Sequence, residues 1–119
     1  MSIEGTKVLL VEDEAIIAMT AEDMLEELGC ETVATAMTLA EAIEAVERGN
    51  FDVALLDINL NGRESLPVAA QLREAGRPFI FTTGYGAAGY GSGFDDVPLV
   101  TKPYQLQDLE AAISRALGR

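Results

Sequence analysis

The sequence predicts an α/β domain, a doubly wound parallel sheet of five strands with helices on both faces. Three observations carry that prediction. Short runs of continuous apolar residues recur without polar alternation, as in strands buried on both faces. Stretches with apolar residues at helical spacing lie between them, so strand and helix alternate along the chain. No linker, repeat or low-complexity segment divides the 119 residues, a length suited to one domain with a substantial core.

Lys7-Val8-Leu9-Leu10-Val11 reads as the first buried strand, closed by Glu12-Asp13-Glu14. Ile17, Met24, Leu25 and Leu28 then recur at helical spacing, and Gly29 stops that helix. Glu31 to Ala34 is a short second strand. Thr38-Leu39-Ala40-Glu41 has the form of a capping box, and Leu39, Ala42, Ile43 and Val46 make one helix stripe ending at Gly49. Val53-Ala54-Leu55-Leu56 is the central strand, delivering Asp57 at its end, with a turn at Asn61-Gly62 beyond. A third helix runs from about Ser65 to Ala75, with Val68, Ala69 and Leu72 inward and Gly76 as terminator. Pro78 opens a fourth strand, Phe79-Ile80-Phe81-Thr82, ending at Thr83.

The helix expected next is short or disordered. Gly84 to Gly93 carries glycines at 84, 86, 89, 91 and 93, each costing a helix about 1 kcal/mol relative to alanine. The stretch reads as a mobile loop with at most one or two helical turns. Pro98-Leu99-Val100-Thr101 is the fifth strand, followed by Lys102-Pro103. The last helix, about Leu106 to Leu117, buries Leu106, Leu109, Ile113 and Leu117.

Composition narrows the function. A formal net charge of -12, with two lysines and six arginines, disfavours nucleic acid and an anionic membrane surface. No apolar run approaches the ~20 residues of a membrane span, and Met1 to Lys7 shows no signal-peptide pattern. One cysteine, Cys30, reads as a small packed hydrophobe and fits a reducing compartment, so a cytoplasmic location is expected. Histidine is absent, which removes catalytic triads and imidazole zinc sites. Chemistry here runs on carboxylates, lysine, hydroxyls or a hard metal.

In a parallel sheet the carboxyl ends of all strands share one rim. Glu12 and Asp13 follow the first strand, Asp57 the third, Thr83 the fourth and Lys102 the fifth. A lone aspartate at a strand end often simply begins a loop, but this one has company. Carboxylates crowded at ~4 Å repel by about 4 kcal/mol per pair at an effective dielectric of ~20, and a hard divalent cation such as Mg²⁺ relieves that. Lys102 and the Thr83 hydroxyl would then hold the oxygens of a transferred phosphoryl group, with Asp57 as nucleophile.

With an acidic pair after the first strand, Asp-x-Asn after the third, Thr-Gly after the fourth and Lys-Pro after the fifth, the chain resembles the receiver domain of two-component response regulators over essentially residues 1–119. The resemblance implies a flavodoxin-like sheet of order 2-1-3-4-5. It implies phosphoryl transfer to Asp57 from a phosphohistidine on a histidine kinase or histidine phosphotransferase. Asp13 and Asp57 would supply side chains to Mg²⁺, Glu12 would act largely through water, and Asn59 would offer its backbone carbonyl. Thr83 and Lys102 would engage the phosphoryl group, and the Lys102-Pro103 bond would be cis. Such receivers catalyse only their own phosphorylation and slow hydrolysis, so the chain is not expected to be an enzyme in the usual sense.

The departures are instructive. Receivers of this family often carry an aromatic residue three positions before the lysine, where Leu99 stands. Tyr85 or Tyr90 is therefore expected to take over its switching role. Phe81-Thr82-Thr83-Gly84-Tyr85-Gly86 is similar to a stand-alone alphaproteobacterial subset, with Thr82 in place of alanine, which implies output through a protein target or by draining phosphoryl groups. Two other readings stand beside this one. A phosphohydrolase would want a second acid where Asn59 sits, since an amide cannot donate a proton. A degenerate receiver would serve only as an interaction scaffold.

Overall fold

The computed structural model describes residues 3–60, 63–84, 94 and 96–118. The predicted architecture is the observed one. Strands β1 (Lys7–Val11), β2 (Glu31–Ala36), β3 (Val53–Asp57), β6 (Phe79–Thr83) and β7 (Leu99–Thr101) form a parallel sheet in the order β2-β1-β3-β6-β7. With β6 and β7 as fourth and fifth main strands, this is the 2-1-3-4-5 order that the resemblance implied. Helices α1 (Ala15–Glu27) and α4 (Leu106–Ala116) cover one face, and α2 (Leu39–Arg48) and α3 (Leu66–Glu74) the other.

Strict alternation along each strand makes two cores. Leu10, Leu55, Ile80 and Val100 face Ala21, Leu25, Leu109 and Ile113, while Leu9, Leu56 and Phe81 face Ala42, Val46, Val68 and Leu72. β3 is buried at every position and lies at the centre of the sheet, which explains its unbroken apolar run. Truncating Leu55 or Ile80, both essentially inaccessible, to alanine would cost about 2–5 kcal/mol.

The capping box forms with one variation. Thr38 Oγ1 accepts from the Glu41 N–H at 3.1 Å, but the Glu41 carboxylate reaches past the cap to the Met37 N–H at 2.8 Å. Gly49, in the left-handed region at φ 65°, closes the helix.

Several boundaries differ from the expectation. The second strand runs to Ala36 because a register shift opposite Val8/Leu9 lets it stay paired as far as Val11. Between β3 and α3 lies an unanticipated antiparallel ribbon, β4 (Asn59–Leu60) with β5 (Arg63–Glu64). Two-residue strands are too short to leave a periodic signal. The expected turn at Asn61-Gly62 lies outside the described residues, as do 85–93, and with them the expectations for Tyr85, Tyr90 and the glycine-rich loop. Ile43 is exposed, because Ala42, Ala45 and Val46 fill the inward face of α2. Leu106 and Leu117 are half-buried at the ends of α4 rather than in its core.

Candidate functional site

Parallel strands bring the candidate residues to one rim. Asp57 is the last residue of β3, in register with Thr82 of β6. Thr82 pairs with Val100 of β7, so Thr83 and Lys102 follow at the same level. Glu12 leaves β1 with its N–H still on the Ala36 carbonyl at 2.9 Å. Asp13, Asp57, Asn59, Thr83 and Lys102 together line a cleft of about 490 Å³, with Glu14, Ile17, Ile58 and Gly84 completing its wall.

Lys102 is the hub. Its Nζ donates to Glu12 Oε1 and to Asp57 Oδ2, each at 3.0 Å, and its side chain is 11% exposed. The remaining oxygens are held by backbone: Glu12 Oε2 accepts the Glu14 N–H and Asp57 Oδ1 the Asn59 N–H, each at 3.1 Å. These donors lie two residues beyond each acid, so the local turns aim the carboxylates. The loop after Asp57 is anchored in turn. Ile58 donates its N–H to the Thr82 carbonyl at 3.0 Å, and the buried Ser65 returns its hydroxyl to the Ile58 carbonyl at 3.1 Å.

Carboxylate oxygens of Glu12, Asp13 and Asp57 lie within 4.8 Å of one another. Three carboxylates and one ammonium would carry a double negative charge with every acid ionised, and Glu12 and Asp57 are buried. Burial pushes the Glu12 carboxyl up to about 7, with the Asp57 charge adding to it, against the opposing bonds from Lys102 and the Glu14 N–H. Burial also raises the Asp57 carboxyl above its ordinary range, despite Lys102 and the Asn59 N–H. Burial works against the charge on Lys102, but its bonds to Asp57 and Glu12 prevail and hold the ammonium above the usual lysine range. An all-oxygen donor set with this charge excess fits a hard divalent ion such as Mg²⁺.

The structure brings Glu12, Asp13, Asp57, Asn59, Thr83 and Lys102 together. Asn59 contributes its N–H to Asp57, while Lys102 binds the carboxylates themselves. Sequence reasoning placed Ser65 at the start of the third helix but did not foresee its hydroxyl's bond to the Ile58 carbonyl. It also missed Tyr104, though an aromatic two residues after Lys102 was visible. The Lys102-Pro103 bond is cis.

This strand order and this rim match a known class of signalling module. The family described as response regulator receiver domain matches residues 8–114, and the chain belongs to that family, a component of two-component signalling. Among curated relatives, it is 36% identical to the transcriptional regulatory protein TcrA of Mycobacterium tuberculosis, over 98% of this chain and 47% of that protein. It is 34% identical to the phyllosphere-induced regulator PhyR of Methylorubrum extorquens, over 95% of this chain and 44% of that one. The chain thus spans about half the length of these relatives. The solution structure of SdrG from Sphingomonas melonis is 40% identical with a TM-score of 0.84, covering 98% of this chain and 99% of that one. PhyR from Brucella abortus is 35% identical with a TM-score of 0.82, covering 96% and 48% respectively.

Proposed function

We propose that this chain accepts a phosphoryl group on Asp57 from the phosphohistidine of a histidine kinase or histidine phosphotransferase, in a Mg²⁺-dependent reaction in the cytoplasm. The observation that carries the reading is Lys102 Nζ, on the cleft wall, shared at 3.0 Å between Asp57 and the buried Glu12. Asp13 and Asp57 would hold the metal through their side chains, Glu12 through water and Asn59 through its carbonyl. When bound, Mg²⁺ supplies positive charge that offsets the carboxylates and the incoming phosphoryl oxygens. An Asp57 oxygen forms the new bond to phosphorus as the bond from phosphorus to the donor imidazole nitrogen breaks. Lys102 then exchanges a carboxylate for a phosphoryl oxygen, and the Thr83 hydroxyl donates to another.

A donor must reach this rim. Ile16 and Met19 of α1 are 79% and 61% exposed, next to Ile17 of the cleft wall. Apolar groups in that position suit the seating of a donor helix. For output, the structurally similar PhyR of Bartonella quintana is an anti-anti-sigma factor, and a net charge of -12 disfavours DNA. Both support output through binding another protein, with service as a phosphoryl drain as the other mode. Acetyl phosphate or beryllofluoride with Mg²⁺ tests the proposal. One equivalent on the wild type and none on Asp57→Asn is expected. Multiple turnover would favour a phosphohydrolase, and no modification an interaction scaffold.

A further inference from the structure

At the end of the sheet away from the acidic rim, the sign of the charge reverses. Arg73, Arg77 and Arg115 line a pocket of about 380 Å³ where β6 and β7 begin, beside Pro78 and Pro98. These are three of the eight cationic residues in a chain of net charge -12. They come from the last turn of α3, the turn after it and the last turn of α4. Among the described residues, Asp96 is the one acid on the pocket wall.

Helix ends explain part of this clustering, since arginines in a last turn offset about half a negative charge at each terminus. Three guanidiniums against Asp96 and two helix ends still leave the pocket about one charge positive. The acidic rim does not cancel it. β6 is five residues long, which at ~3.3 Å per residue sets its two ends roughly 13 Å apart, beyond the ~8 Å screening length in physiological salt.

The donors are held in place and mostly unspent. Arg73 sits over the rings of Phe94 and Phe79, at 5.1 and 5.9 Å, and its Nη2 donates to Asp96 Oδ1 at 3.0 Å. Arg77 lies over the Phe51 ring at 5.2 Å, and its Nη1 donates to the Phe51 carbonyl at 2.8 Å. Arg115 is exposed and makes no ion pair among the described residues. Each guanidinium offers five N–H donors, so most of them face water. The Asp96 side chain is 73% exposed, and an exposed pair of this kind is held weakly.

We infer that this pocket binds a small-molecule anion of the phosphate class, with Asp96 giving up Arg73 to it. A tetrahedral group with several charged oxygens takes donors from three directions at once, which the two oxygens of a carboxylate do less well. The volume lies within the range of small-molecule sites.

Inorganic pyrophosphate is titrated into the whole chain in metal-free buffer at physiological salt, followed by calorimetry and by NMR of the arginine side chains. Expected is a Kd of about 1 mM or tighter, with shifts centred on Arg73, Arg77 and Arg115. Arg115→Ala should weaken binding about tenfold, the worth of one charge-assisted bond. Asp96→Asn should tighten it about threefold, because the competing carboxylate is gone. Arg48→Ala, which removes an exposed cation on α2, should change nothing. No binding would overturn the inference, as would unchanged affinity in Arg115→Ala, equal weakening in Arg48→Ala or any weakening in Asp96→Asn. Tighter binding of a tetraglutamate peptide than of pyrophosphate would overturn it in favour of an acidic protein partner.

Discussion

Raising the pH should destabilise the metal-free protein across a range where most proteins hold steady. The Glu12 carboxyl moves from its ordinary 4.5 to about 7 on folding, because burial and the Asp57 charge outweigh the bonds from Lys102 and the Glu14 N–H. A carboxyl that binds its proton more tightly folded than unfolded stabilises the fold while protonated. That contribution is complete below about pH 4.5 and lost as pH rises through about 7. At ~1.4 kcal/mol per pKa unit the full loss is about 3 kcal/mol, or about 1 kcal/mol per pH unit between 5 and 7. Asp57 is shifted the same way and steepens the fall. Lys102 is shifted upward but titrates far above this window, so its contribution stays constant. Urea unfolding in a chelator at pH 5, 6 and 7, followed by far-ultraviolet circular dichroism, reads the slope. At m of roughly 1–3 kcal/mol/M the midpoint should drop by about half a molar per pH unit. Glu12→Gln should flatten the curve. A midpoint that is level or climbs from pH 5 to 7 in the wild type would refute the reasoning.

Other consequences follow from the same geometry. Because a divalent cation needs the carboxylates ionised, Mg²⁺ at about a hundred times its Kd should add about 2.7 kcal/mol, raising the melting temperature by several degrees at pH 8 and less at pH 6. Asp13→Asn should abolish most of that rise in calorimetry. Lys102→Ala leaves Glu12 and Asp57 without their shared cation. It should cost about 3–5 kcal/mol in metal-free urea unfolding at pH 8 and prevent modification by acetyl phosphate. Thr38→Ala removes the side chain that accepts the Glu41 N–H and should cost about 1 kcal/mol with no change in phosphoryl uptake.

What could be read from the chain was what a strand position determines by itself. Continuous apolar runs located β1, β3 and β6, and the parallel sheet then forced Glu12, Asp57, Thr83 and Lys102 onto one rim, whatever their spacing in sequence. What could not be read depends on which way a side chain turns once it is there. Lys102 is expected to engage a phosphoryl group, but nothing in the sequence says that beforehand it spans Glu12 and Asp57. Ile43 belongs to an apolar stripe by spacing, yet the smaller Ala45 takes the inward position beside Val46. The β4–β5 ribbon leaves no pattern at all, because two residues cannot show a period. Tyr104 is ambiguous by type, and only its burial beside Thr82 shows that the hydroxyl is turned inward.

The acidic cluster is held together by a side-chain hydrogen bond between Glu12 and Asp57 and by the lysine they share. Glu12 and Asp57 are placed by their strands and by the N–H groups of Glu14 and Asn59, and their mutual repulsion is eased by Lys102 and by the bond between them. The whole sheet therefore enforces an electrostatic arrangement that water would dissolve, and any added positive charge lowers that cost. Phosphorylation of Asp57 would leave the cluster at least as negative as before, so net charge is a poor carrier of the signal. What changes is the partner of Lys102. Its N–H is fixed to the Thr83 carbonyl at 2.8 Å, and β7 is the edge of the sheet. A shift of that one side chain is thus delivered to the strand with the fewest neighbours to resist it. If phosphoryl transfer altered amide exchange in β1 and β2 but not in β6 and β7, Lys102 would not be the carrier.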